Sequence, residues 1–328
     1  MNSRRRLVLA LGAGTLLPRW ATAQTPAKVY RVGFLTASEP PTINAPLVQG
    51  LIRGLAKDGY VLDRNLAFEL RGVKSDVGTM PQLVNELLAT KVDVIVAAGY
   101  PSARAAKLGA GKVPVVISGA GDPVATGLAD SLSRPGGNLT GVSDVAAELA
   151  PKRLQLLKEV APGLRRVAMI WNAGDLGMTV RYEASSAAAK VLGIVVQPFG
   201  VREPDDFGDA FVAMARDLPD AILMVADRLT NLNRKRIYEF AAARRLPAIY
   251  EFEPYVTDGG LMSYGPDSAE GYERLASLVA RIFKGAKPAE LPFEQPTLFR
   301  LVINLKTAKA AGISIPQSLL LRADRVIE

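Results

Sequence analysis

The chain has 328 residues, 40 Lys and Arg against 32 Asp and Glu, a formal charge of +8, and neither histidine nor cysteine. Without histidine no Ser-His-Asp triad exists, without either residue the commonest zinc ligands are gone, and without cysteine there is no disulfide or thiol chemistry. The basic excess is mild, and its densest groups, Arg234-Lys235-Arg236 and Arg244-Arg245, lack interleaved aromatics, so they read as solvated helix faces and not as a nucleic-acid surface.

The N-terminus has the order of a secretory signal. Arg4, Arg5 and Arg6 precede an apolar run over residues 7–17, and Ala21-Thr22-Ala23 offers small residues for cleavage before Gln24. The run is shorter than the roughly 20 residues that a membrane span needs. The triple arginine suits a twin-arginine route as well as a basic Sec signal. No cysteine stands near the cleavage point, which excludes a lipoprotein anchor. Cleavage after Ala23 removes four arginines and leaves a formal charge of +4 on a chain long enough for two domains.

From residue 28 strands and helices alternate. Strands are predicted over 28–35 and 66–71, and helices over 46–58 and 80–90. Residues 92–98 and 113–118 are short, β-branched apolar runs without alternation, the pattern of strands covered on both faces. The alanine-rich stretch 102–108 between them reads as a short helix. Both runs end in glycine, Gly99 and Gly119, and a proline follows each, Pro101 or Pro123, suited to open a helix. Such loops lie at the carboxyl ends of parallel strands, where open α/β sheets bind ligands. Helix starts there seat an anion; equally, the glycines make tight turns and Asp122 caps a helix from Pro123.

A strong turn at Arg134-Pro135-Gly136-Gly137-Asn138 leads to a strand over 139–142 and a helix over 150–160. A fresh series follows: strands over 167–171, 194–199, 221–225 and 248–250, with helices over 180–192, 204–216 and 233–244. The fold class is therefore α/β, with two Rossmann-like lobes of parallel sheet. The chain then adds a strand over 260–264, a long helix over 269–284, an extended proline-rich stretch over 288–296, a strand over 299–304, and two short helices around Pro316.

Several segments together are specific. Gly59-Tyr60-Val61, Asp93-Val94-Ile95-Val96, Gly121-Asp122-Pro123-Val124, Arg134 through Ser143, and Lys152-Arg153-Leu154-Gln155-Leu156-Leu157 occur in one order. Gly259-Gly260-Leu261-Met262-Ser263-Tyr264-Gly265 and Leu301-Val302-Ile303-Asn304-Leu305-Lys306-Thr307-Ala308 complete the series. The chain thus resembles the ABC-transporter substrate-binding proteins of the tryptophan/tyrosine-binding type, over nearly all its length after the signal. The resemblance implies a type I periplasmic-binding-protein fold with three hinge crossovers, near Ser143, Tyr264 and Phe299. Lobe one then comprises 28–143 plus 267–297, and lobe two 144–266 plus 298–328. It also implies a monomer in the periplasm that closes on a small solute, an aromatic or other amino acid, and docks on an inner-membrane ABC permease. Neither nucleic acid nor a cofactor is implied.

Loops 99–102 and 118–122 match the family positions that face the cleft. Their N–H groups, with the hydroxyls of Ser102 and Ser118, suit a carboxylate. Tyr100 departs from the small residue common there, and it either narrows the pocket or adds a ring. Across the cleft, Asp227 and Glu251 end strands; each either pairs with an ammonium group or caps a helix or binds a nearby arginine. Trp171, Tyr255 and Tyr264 sandwich a ring-shaped solute or pack in hinge and core. Thr36 and Ser38 donate hydroxyls or make a turn. The rival readings are a ligand module for a membrane sensor and an enzyme on a doubly wound fold. The missing His and Cys and the missing G-x-x-x-x-G-K-[ST] loop weigh against the enzyme.

Overall fold

The computed structural model describes residues 28–73 and 76–328; the expected signal and its Ala23 cleavage point lie outside the described residues. The first series is β1 (Tyr30–Thr36), α1 (Pro46–Lys57), β2 (Leu66–Gly72), α2 (Met80–Ala89), β3 (Val94–Ala98), α3 (Tyr100–Gly109), β4 (Val115–Ser118) and β5 (Leu139–Val142). The second runs α4 (Ala150–Val160), β6 (Arg166–Asn172), α5 (Leu176–Val191), β7 (Val195–Val201), α6 (Asp206–Arg216), β8 (Ala221–Met224), α7 (Arg228–Leu232), α8 (Arg234–Ala243) and β9 (Ala248–Tyr250). The remainder is α9 (Glu253–Thr257), β10 (Met262–Pro266), α10 (Ser268–Phe283), β11 (Phe299–Asn304), α11 (Leu305–Ala311), α12 (Gln317–Leu320) and β12 (Arg325–Ile327).

The strands form two sheets, ordered β2-β1-β3-β4-β5 and β12-β11-β10-β9-β8-β6-β7. The first is parallel throughout. In the second, β11 runs antiparallel to β10, against the expectation of parallel strands. The cause is the path: after α10 the chain returns along an extended stretch and enters the second sheet from the opposite end. Pro123 does not open a helix as expected. Residues 123–127 form successive turns, with Asp122 accepting the N–H groups of Val124 and Ala125 at 2.8 and 3.0 Å. The short α7 and α9 and the terminal β12 were not anticipated, because so few residues carry no readable period.

Each sheet has an apolar core on both faces. Val48, Leu51 and Leu55 of α1 are fully buried, each contributing roughly 1.5–3 kcal/mol on removal from water. α1 lies close against α10, because a Cβ on Gly50 would stand 2.5 Å from the Tyr272 ring. So α10 packs on the first sheet's side although β10 and β11, which flank it in sequence, belong to the second. The chain therefore passes between the sheets after β5, after β10 and before β11. These segments brace one another: Ser143 N–H donates to Glu294 O at 2.9 Å, and Asp267 N–H to Leu298 O at 2.9 Å. Among the described residues no helix is long and apolar enough to cross a membrane.

Candidate ligand-binding cleft

The carboxyl ends of both sheets face one cleft. It holds cavities of about 590 and 300 Å³ that share Ala98, Gly99, Gly119, Asn231, Phe252 and Tyr255. The larger reaches the crossovers at Ser143, Asp144, Asp267 and Pro296 and is flanked by Leu47, Phe252 and Tyr272. The smaller holds more chemistry: Thr36, Ser38 and Tyr100 on one side, and Asn172, Asp175, Asp227 and Arg228 on the other.

The first wall is built by tight βα turns. Gly99 has φ 84° and ψ 157°, a conformation open to glycine, and it turns the chain from β3 straight into α3. The amides of Tyr100 and Ser102 open that helix without intrahelical partners and at its positive end. Gly119, at φ 63°, continues β4 into the cleft beside Ser118. Thr36 and Ser38 share a hydroxyl contact at 3.0 Å.

The second wall carries two carboxylates, Asp175 and Asp227, beside Arg228. Asp227 caps α7 through a capping box: its Oδ1 accepts the Thr230 N–H at 2.8 Å, while its own N–H donates to Thr230 Oγ1 at 2.9 Å. Asn172 Nδ2 donates to the other oxygen, Oδ2, at 2.6 Å. Asp227 thus both caps a helix and lines the cleft. Asp175 caps α5, accepts the Met178 N–H at 3.3 Å, and is 6% exposed. Its pKa is pushed up to about 6, first by burial and then by the charge of Asp227, against N–H bonds from Met178 and Gly177. Asp175 was not singled out from the sequence. The helix it caps was expected from residue 180, so its N-cap position three residues after β6 went unread.

Thr36, Ser38, Gly99, Tyr100, Ser118, Gly119, Asp227 and Tyr255 line the cleft. The other candidates sit elsewhere. Glu251 is 1% exposed and both its oxygens are taken: Oε1 by Arg153 at 3.3 Å, Oε2 by Arg181 and by Ala226 N–H, each at 2.9 Å. It lies beneath the cleft wall and offers nothing to a solute. Trp171 is 8% exposed and stacks on Tyr182 at 3.7 Å between ring centroids, inside the core. Tyr264 packs on that core and faces Phe299. Ser102 is fully buried on the inner side of α3, and Asp122 is spent on its own turn.

Tyr255 reaches both cavities and lies over Tyr250 at 5.8 Å; burial, first, and the nearby acids keep its hydroxyl protonated. Arg234 Nε donates to Asp258 Oδ2 at 2.5 Å along the same wall. Among the described residues no group of His, Cys, Asp or Glu suits a metal ion. The arrangement opposes hydrogen-bond donors on one wall to a pair of carboxylates on the other.

A family model described as "ABC transporter substrate binding protein" matches residues 36–327. A curated tyrosine-binding protein of Clostridioides difficile is 24% identical over 283 residues, 86% of this chain and 81% of that protein. A Streptococcus pneumoniae ABC domain in complex with L-Trp superposes with TM-score 0.84 at 25% identity, over 92% of this chain and all of that one. A conserved domain protein from Vibrio cholerae gives TM-score 0.85 at 27% identity, over 91% of this chain and all of that one.

Proposed function

The chain belongs to the ABC transporter substrate binding protein family, and on that premise we propose that its solute is an amino acid held across the two walls of the cleft. It is a solute-binding protein and not an enzyme, and it serves an ABC transporter, whose permease is its partner. The observation that carries the amino-acid reading is the opposition of the α3 start to Asp175 and Asp227. The Tyr100 amide at the α3 start and the Ser118 hydroxyl receive the carboxylate; the two aspartates receive the ammonium group. A bulky side chain then points toward Leu47, Phe252, Tyr255 and Tyr272. The tyrosine named for one relative and the L-Trp bound to another support an aromatic side chain.

The two lobes divide at the crossovers, 28–143 with 267–297 and 144–266 with 298–328, and they close on the solute as one monomer. Proteins of this family work outside the cytoplasmic membrane; this one enters the periplasm by its signal, with cleavage after Ala23. N-terminal sequencing of periplasmic protein beginning at Gln24 supports that step, and full-length chain in the cytoplasm contradicts it.

The test is native mass spectrometry of freshly purified protein, followed by a thermal-shift screen of amino acids and sugars. At a hundred times its dissociation constant a true solute stabilises the fold by about 2.7 kcal/mol. Stabilisation by L-tryptophan or L-tyrosine and by no sugar supports the reading; stabilisation by sugars alone overturns it.

A further inference from the structure

Beside the compartment that holds Asp175 and Asp227, the two lobes meet backbone to backbone. Gly177 is the second residue of α5, two positions after the Asp175 cap. A Cβ at Gly177 would stand 2.7 Å from the Ala120 carbonyl oxygen and 3.0 Å from Tyr100 Cβ, both in the first lobe. From the other side, a Cβ at Gly121 would stand 2.9 Å from both Gly177 Cα and its carbonyl oxygen. Optimal carbon contacts lie near ~3.5–4.0 Å, so neither position has room for a methyl group while the lobes touch.

The two glycines differ in what else requires them. Gly121 has φ 80°, which disfavours any side chain regardless of space. Gly177 lies in a regular helix, where alanine is the better helix former. Within its own lobe the nearest atom to an added Cβ is Asp175 Oδ1 at 3.2 Å, at the end of a side chain. The tighter contacts all come from the opposite lobe, so the bare backbone at 177 serves the interlobe contact and not the fold of α5.

We propose that Gly177 is the latch of closure. Its missing side chain lets the first turn of α5 dock on Tyr100 and on the turn at Ala120 and Gly121, and a methyl group there holds the lobes apart. The same turn carries Asp175 and Met178 into the cleft. Latch and solute therefore favour the same closed form, and loss of the latch lowers affinity by depleting that form. This deepens the reading that the lobes close on their solute and rests on it.

The chain's lack of cysteine makes a distance measurement direct. Leu108→Cys on α3 and Val191→Cys on α5 place spin labels on exposed positions of the two lobes, 70% and 87% exposed. Gly208→Ala in α6 is the control, since a Cβ there meets nothing within 4 Å. Pulsed dipolar spectroscopy, without and with excess L-tryptophan, reads the interlobe distance. The expected result is a short-distance population in wild type and in Gly208→Ala that Gly177→Ala loses under the same conditions. A Gly177→Ala protein that keeps the short distance overturns the latch, and so does a wild type that never shows it. If wild type shows the short distance but neither L-tryptophan nor, in the same assay, L-tyrosine increases it, the aromatic amino-acid reading fails while the latch stands.

Discussion

Arg181 Nη1 donates to Glu251 Oε2 at 2.9 Å, with neither side chain more than 2% exposed. The pair sits in a larger buried group. Arg181 also pairs with Asp144 on the first crossover. Arg153 bonds Glu251, the Ala146 carbonyl and the Tyr264 carbonyl, the last two at 2.8 Å each. Burial opposes the charge of Arg181, and Asp144 and Glu251 more than restore it. Two arginines and two carboxylates thus fasten crossover backbone to the second lobe, directly under the Ala226 end of the cleft wall.

Glu251→Ala leaves the buried Arg153 without its main counter-charge and Arg181 with Asp144 alone. It should destabilise the protein by about 3–5 kcal/mol in urea titration. A loss below about 1 kcal/mol would mean the network relaxes around water and does not fasten the crossovers.

Asp227→Ala should behave in the opposite way. It removes the α7 cap, at a cost of about 0.5–2 kcal/mol in folding. It also leaves a desolvated ammonium group with only one of its two carboxylates, so affinity for L-tryptophan should fall by several kcal/mol in calorimetry. Unchanged affinity would reduce Asp227 to a helix cap.

Trp171 provides a contrast on the same lobe. Its ring is held by Tyr182 within the core and lines neither cavity. Trp171→Ala should cost about 3–5 kcal/mol of stability, while the protein that remains folded binds L-tryptophan as wild type does. A selective loss of affinity with little loss of stability would return Trp171 to the cleft.

Asp175 makes the protein sensitive to pH. Its folded pKa of about 6 lies above its ordinary 3.8. Between those values the folded chain holds more protons than the unfolded one, so this group's contribution to stability falls as pH rises through the window. An ammonium group needs the ionised form, so affinity rises over the same window. Between about pH 4 and about pH 7 the melting temperature of wild type relative to that of Asp175→Asn should fall as pH rises, a difference from which the opposite trend of carboxylates held low, such as Glu270, cancels. Saturating L-tryptophan should offset the decline. Parallel curves for the two proteins would contradict it.

The two α/β series were legible because buried parallel strands are short apolar runs, as in Val94–Ala98, and helices such as Ala150–Val160 have a full period. The loops at Gly99 and Gly119 were legible as strand ends before glycine. Ranking the acids was not. Asp227 and Glu251 both end strands of one sheet; only the arginines of α4 and α5, distant in sequence, decide that Glu251 is consumed below the wall. Arg153 stood in a motif that carries the family resemblance, yet its role as a buried tie appears only when Tyr264 O and Glu251 are placed beside it. Gly177 carries no local signal either, since what excludes a side chain there belongs to the other lobe.

The most direct test of the cleft is calorimetry of wild type with L-tryptophan, tryptamine and indole-3-propionate. The first carries both charges, the second only the cation, the third only the carboxylate. If the α3 start holds the carboxylate and Asp175 with Asp227 holds the ammonium group, L-tryptophan binds and each analogue loses about a hundredfold or more, about 2.7 kcal/mol. Indole-3-propionate binding as tightly as L-tryptophan would contradict the assignment of the two aspartates.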